Sequence, residues 1–279
     1  MANFTAADIK ALRERTGAGM LDVKKALDEA DGNAEKALEI IRVKGLKGVS
    51  KREGRSASDG LVAANIADDA AGQTGVLIEL NSETDFVAKN TTFVALAEKV
   101  LAAAVASGTD DVAAILAFAV DGTTVADSIT ETAATLGEKL VLRRVARVSA
   151  PVVSVYLHKV NKDLPPQVGV LVGTDAAGAS AGKDVAMHIA AYSPTYLARE
   201  DVPAETVADE RRIAEETARN EGKPEAALIK ITEGRLNGFF KENVLLEQAF
   251  AKDPKTTVGR IVSATGGTVT AFARFRVGA

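Results

Sequence analysis

Two hydrophobic periods, used twice in the same order, predict an α+β fold with antiparallel sheets. In the first use, Val76, Ile78 and Leu80 share one face at the two-residue period of a strand, and Phe93, Ala97, Val100, Leu101 and Ala104 follow at helical spacing. In the second, Gly169-Val170-Leu171-Val172 echoes Gly75-Val76-Leu77-Ile78, and a helix over 183–192 follows as one does from Thr92. Hairpin then helix, at similar spacing, reads as a duplicated subdomain. A third observation sets the outline: residues 202–236 are dense in charge, carry a narrow apolar stripe and interrupt the second copy.

Taken in order, residues 1–44 read as a three-helix module. Thr5 with Asp8 forms a capping box ahead of Ile9 and Leu12, and Gly17 and Gly19 stop that helix. Met20, Val23, Leu27 and Ala30 mark a second helix. Ala34, Ala37, Leu38 and Ile41 mark a third. A module this small barely holds its own core, which points to a binding unit. Arg13 lies off the Ile9–Leu12 face, where solvent is the expectation.

Residues 45–59 read as a basic linker, with Lys47, Lys51, Arg52 and Arg55 among glycines and little periodicity. No aromatic residues interleave with these charges to stack bases. Residues 60–149 form the first core half: a hairpin of 61–66 with 76–80 around Asp68-Asp69-Ala70-Ala71-Gly72, helices near 92–106, 110–119 and 124–136, and a strand over 140–148. Residues 150–201 and 237–279 form the second half, with strands over 152–158 and 268–277 and a short helix over 257–262. Between them, 202–236 fold as a helical hairpin turning at Gly222-Lys223-Pro224, with Val207, Ala214 and Ala218 facing Leu228 and Ile231.

Composition removes several classes of chemistry. The chain has 279 residues, no Cys and two His, so disulfides, thiolate zinc sites and cysteine nucleophiles are excluded. A net charge of −4 argues against a general nucleic-acid binder. No apolar run reaches the ~18 residues of a membrane span, and Met1 to Thr5 lack the pattern of a signal peptide. A cytoplasmic protein with no membrane contact is the expectation. Ala177-Gly178-Ala179-Ser180-Ala181-Gly182-Lys183-Asp184 imitates a phosphate loop. It lacks the first Gly and the Ser or Thr that ligates magnesium, and Asp184 would repel a phosphate. Direct nucleotide binding, a metal site and a cofactor are therefore not expected. His188 reads as structural inside an Ala-rich helix. His158 ends a strand on its more polar face, where a contact role and no role stay equally open.

The stretch that draws attention is Thr84-Asp85-Phe86-Val87. It puts an acid beside a ring where strand gives way to helix, between turn and cap formers Asn81, Ser82, Asn90 and Thr91. A core ring and an exposed site ring are both open. Three functions compete: a partner-binding protein working through this turn, a small-molecule enzyme using Glu83, Asp85 and His158, and a plain helical adaptor built on the N-terminal helices.

Leu12 to Met20 (LRERTGAGM), Asp22 to Leu27 (DVKKAL), Thr84 to Asn90 (TDFVAKN), Ala186 to Ala191 (AMHIAA) and Lys255 to Gly259 (KTTVG) together resemble the bacterial elongation factor Ts family over nearly the whole chain. The resemblance implies a module like a ubiquitin-associated domain at the N-terminus, a two-part α+β core and an inserted coiled-coil hairpin; whether that hairpin pairs two copies into a homodimer stays open. It implies guanine-nucleotide exchange on elongation factor Tu during translation elongation, without enzymatic chemistry. Thr84, Asp85, Phe86 and Val87 would dislocate the partner's magnesium, and Arg13, Met20 and His158 would contact the partner. Some members carry a further C-terminal helical module, whose contacts are not expected from a chain ending at Ala279.

Overall fold

The computed structural model describes residues 3–70 and 72–279; the side chains of residues 46, 47 and 49–51 are not described. Met1, Ala2, the Ala71 of the expected turn, and the Lys47 and Lys51 side chains of the expected linker lie outside the described residues.

Three helices open the chain: α1 (Ala6–Thr16), α2 (Met20–Glu29) and α3 (Ala34–Arg52). The capping box closes as expected, the Thr5 N–H donating to the Asp8 carboxylate at 2.7 Å and the Asp8 N–H to Thr5 Oγ1 at 3.3 Å. Gly17 ends α1 at φ 67°, a left-handed conformation that costs glycine little. Leu12, Val23, Ala26, Leu27, Ala37 and Ile41 make the shared core.

The linker expectation is corrected over its first half, because α3 runs on to Arg52. Gly45 looks like a breaker but serves as a contact. A Cβ on it would stand 1.9 Å from the carbonyl oxygen of Ala134 in α7 (Val125–Leu136). Arg52 continues the seam, its guanidinium donating to the Ala133 carbonyl at 3.1 Å. The N-terminal helices therefore sit on the first core half through backbone-close packing of α3 on α7.

That half holds β1 (Asp59–Asp69), β2 (Gly72–Ser82), α4 (Asp85–Ala88), α5 (Thr91–Ser107), α6 (Val112–Ala117), a short β3 (Ala119–Val120) with β4 (Thr123–Thr124), then α7 and β5 (Val141–Ala150). Its antiparallel sheet has the order β1-β2-β5. After Pro151 come β6 (Val152–His158), β7 (Val168–Thr174), α8 (Ala179–Tyr192), α9 (Ala204–Asn220), α10 (Glu225–Asn243), β8 (Ala249–Phe250), β9 (Asp253–Thr257), α11 (Val258–Ser263) and β10 (Val269–Arg276). The second antiparallel sheet has the order β10-β7-β6. Each sheet thus has its second strand central, its first on one edge and its last on the other.

The sequence echo has a packing reason. Val76, Ile78 and Leu80 face the helices of the first half, while Leu77 faces the other sheet. Val170 and Val172 face α8, while Leu171 faces back. A Cβ on Gly75 would meet Leu171 at 3.0 Å, and one on Gly169 would meet Leu77 at 2.6 Å. Each glycine leaves the hole that the other sheet's leucine fills. Both leucines are fully buried, worth roughly 2 kcal/mol apiece.

Glu79, on the Leu77 face, is also fully buried. It accepts from Arg144 Nε at 2.6 Å, Asn81 Nδ2 at 3.0 Å and the Gly278 N–H at 3.2 Å. Arg144 lies 4.5 Å over the Phe275 ring and donates to the Arg276 carbonyl. A buried pair of this kind adds little net stability once desolvation is counted. What it fixes is the chain end after β10 against the first sheet.

The helical hairpin is longer than 202–236, since α10 continues to Asn243. Ala214, Ala218 and Leu228 are buried in the seam as expected. Val202, Leu236, Phe240 and Val244 form a separate cluster at its base. Among the described residues no helix is long and apolar enough to cross a membrane.

Candidate functional site

The turn between β2 and α5 is built to hold two side chains outward. Asn81 and Ser82 are buried at the end of β2, and Ser82 Oγ donates to the Thr84 carbonyl at 3.0 Å. Thr84 caps α4, its Oγ1 accepting the Val87 N–H at 3.4 Å. Asn90 caps α5, accepting the Thr92 N–H at 2.8 Å. Two caps six residues apart leave room for a single helical turn. Within it Val87 and Ala88 face the core and are 1% exposed, whereas Asp85 is exposed and Phe86 is 42% exposed. A short rigid turn therefore presents an acid and an apolar ring side by side.

The N-terminal helices reach this turn. The Arg13 guanidinium sits 5.3 Å from the Phe86 ring centroid, within the range of a cation–π contact. Asn90 Nδ2 donates to the Glu14 carbonyl, and Thr92 Oγ1 to that of Arg15, both at 3.5 Å. Leu136 of α7 lies 3.1 Å from where a Gly17 Cβ would be. The expectation that Arg13 points to solvent is corrected: it is half-buried, and its Nε has no hydrogen-bond partner among the described residues. Met20 opens α2 and is 60% exposed; its neighbour Leu21, which the sequence did not single out, is 72% exposed.

Two carboxylates hold the turn from beneath. Glu138, between α7 and β5, accepts the N–H groups of Glu83 at 3.0 Å and Thr84 at 3.1 Å, and the Thr84 hydroxyl at 2.6 Å. Burial pushes the Glu138 carboxyl above its ordinary range, while these hydrogen bonds pull the other way. Glu83 accepts the Lys139 N–H at 2.7 Å and pairs with Arg55 at 3.2 Å. Burial and then the negative charge of Asp85 raise the carboxyl of Asp59.

His158 does not join this group. It ends β6 on the other sheet, exposed, with Nδ1 3.1 Å from the Tyr156 hydroxyl. It borders a cleft of about 320 Å³ shared with Asp184, Met187 and Lys252. His188 is fully buried; Nδ1 accepts the Ala251 N–H at 3.1 Å, so Nε2 carries the proton and donates to Gln248 Oε1 at 2.8 Å. Burial lowers its pKa. The enzyme reading does not assemble, because Glu83 is tied to backbone and Arg55 and His158 belongs to the other sheet. Asp184, in the imitation phosphate loop, is bonded to Lys252 at 2.7 Å. Among the described residues no group of three or more potential ligands is placed to hold a metal ion.

Comparison with known proteins meets this geometry from outside. The family model described as Elongation factor TS matches residues 83–279, starting within the turn. Proteins named elongation factor Ts from Beutenbergia cavernae, Micrococcus luteus and Renibacterium salmoninarum are 72%, 66% and 64% identical, each over the whole of both chains. A family model spanning well over half the chain, and full-length relatives this similar, show that the chain belongs to the elongation factor Ts family.

Proposed function

We infer that the turn Thr84–Val87 is the part of this chain that carries out the family's activity. As an elongation factor Ts the chain is a guanine-nucleotide exchange factor for elongation factor Tu in translation elongation. It is not an enzyme in its own right; it acts by binding its partner unequally in two states. A factor that prefers the nucleotide-free partner lowers that partner's affinity for GDP by the same factor, because the linkage is reciprocal.

The observation that carries the site assignment is the pair Asp85 and Phe86, exposed on the helical turn Asp85–Ala88 whose other two residues, Val87 and Ala88, are core. A ring entering between partner elements, with a carboxylate beside it, would shift the ligands of the partner's magnesium. Loss of that cation leaves phosphate charge uncompensated and GDP weakly held. Arg13 and Met20 would extend the contact from the N-terminal helices and His158 from the second sheet. The outward exposure of Met20 and His158 supports this reading.

The finer architecture follows the same proposal. Residues 1–44 act as a module like a ubiquitin-associated domain whose third helix runs on to Arg52, so that only 53–59 of the expected 45–59 linker act as the connection; 60–149 form one core half, and 150–201 with 237–279 the other. The hairpin begun at 202–236 is a coiled coil whose exposed Ile213 and Ile229 suit a second copy of the chain. The cytoplasm, where translation proceeds, is the proposed location. The test is to titrate the chain against elongation factor Tu, nucleotide-free and GDP-bound. Tighter binding to the nucleotide-free form, with the difference shrinking in Asp85→Ala and Phe86→Ala, is expected. Equal affinity for both forms would leave only the adaptor reading.

A further inference from the structure

Asp85 and Phe86 are only as well aimed as the residue that starts their helical turn. That residue is Thr84, and its placement depends on a side chain 54 positions away. Glu138 Oε2 accepts two successive backbone N–H groups, those of Glu83 and Thr84, and Oε1 accepts the Thr84 hydroxyl. The same hydroxyl oxygen accepts the Val87 N–H that closes the turn. One carboxylate thus sets both the backbone direction entering the turn and the rotamer of its cap. The link is returned from the other side, since Glu83 accepts the N–H of Lys139, the residue after Glu138. Lys139 in turn donates to the carbonyls of Glu53 and Arg55. The Glu138 carboxyl is partly desolvated and its pKa raised by burial, so the position carries an acid where burial opposes its charge.

We propose that Glu138 is a positioning residue for nucleotide exchange: through Thr84 it fixes the direction in which Asp85 and Phe86 meet the partner. It rests on the reading of Thr84–Val87 as the acting turn. The chemistry demands an acceptor of three donors at a fixed spacing. A glutamine keeps one oxygen for the two N–H groups, and its amide N–H would be accepted by a Thr84 hydroxyl that has turned round. An alanine leaves all three donors without their partner and the turn free to shift.

The test uses full-length chain and follows release of labelled GDP from elongation factor Tu, with the rate at saturating factor and the half-saturating concentration read separately. A reacting group displaced by about 1 Å can lose up to about a hundredfold in rate, so Glu138→Ala should lower the saturated rate by about tenfold. Glu138→Gln should come within about threefold of the parent on the same argument from donor geometry. Thr84→Val, which keeps the shape and drops the hydroxyl, should be slowed like Glu138→Ala and carries the test should that variant fold poorly. The double variant Glu138→Ala with Phe86→Ala should be no slower than Phe86→Ala alone, because no ring is left to aim. If Phe86→Ala slows release while Glu138→Ala and Thr84→Val do not, the proposal is overturned and the acting turn stands. Multiplying effects in the double variant would place Glu138 on another route and also overturn it. If Phe86→Ala itself leaves release unchanged, the acting turn fails and the proposal with it.

Discussion

Replacing Phe86 by alanine separates what the ring does for the fold from what it does for the partner. The ring is 42% exposed, so somewhat more than half of it is covered in the free chain. A fully buried Phe would cost about 3–5 kcal/mol on truncation, and a surface side chain under about 0.5 kcal/mol. Partial cover, with no closed cavity to leave behind, puts the free-chain cost at about 1–2 kcal/mol, including about 0.5 kcal/mol for the Arg13 guanidinium over its face. Some 40% of a Phe side chain is roughly 80 Å² of apolar area, worth about 2 kcal/mol when a partner covers it, or about thirtyfold in affinity. Melting should therefore fall by only a few degrees, while GDP release from elongation factor Tu slows by about an order of magnitude or more. Raising magnesium should deepen the defect, since the cation and the factor favour opposite states of the partner. A loss above about 3 kcal/mol in the free chain would return Phe86 to the core. Unchanged release at high magnesium would remove it from the mechanism.

Other consequences can be checked on the free chain. Gly45→Ala puts a methyl against the Ala134 carbonyl, so α3 must lift from α7; melting should drop by the equivalent of about 1–3 kcal/mol and proteolysis should enter the N-terminal helices, and an unchanged melt would contradict the packing. Excising Asp209 to Ile231 with a short Gly-Ser joint should leave one cooperative melt, because it spares the Val202, Leu236, Phe240 and Val244 base; a broad transition would make the hairpin part of the core. Replacing all of 202–236 should do worse, since it removes half of that base. His188 is held below its ordinary 6.5 by burial, so the unfolded chain takes up the proton first as pH falls. Its contribution is full above about 6.5 and is lost below it with a slope of up to about 1.4 kcal/mol per pH unit, measurable by denaturant unfolding in a His158→Gln background that leaves one imidazole; stability that is flat from pH 7 to 5 would contradict the sign.

What the sequence revealed was whatever depends on neighbours in the chain. The Thr5–Asp8 box, the cap at Asn90 and the shared face of Val76, Ile78 and Leu80 all work over one to four residues, and each is where the pattern put it. The Gly75–Leu77 echo at Gly169–Leu171 was legible as a repeat, although its cause, leucines crossing into glycine holes, appears only when the two sheets are opposed. Long-range contacts account for what was missed. Gly45 reads as a breaker unless Ala134 is known to lie against it. The end of α10 was set short because the charge pattern fades before Phe239 and Phe240, which pack at the hairpin base. Arg13 over Phe86 and Glu138 under Thr84 join residues 73 and 54 positions apart, and no periodicity or cap chemistry marks either pair.

The central claim is that an exposed acid and ring on one locked turn expel the partner's nucleotide. The most direct measurement loads elongation factor Tu with labelled GDP and adds a substoichiometric amount of the chain or of its Asp85→Ala/Phe86→Ala double variant, in buffered magnesium with excess unlabelled GDP. The parent chain should speed release over many turnovers, and the double variant should lose most of that acceleration while keeping a cooperative melt and measurable binding through the remaining surface. Full acceleration by the double variant would contradict the account.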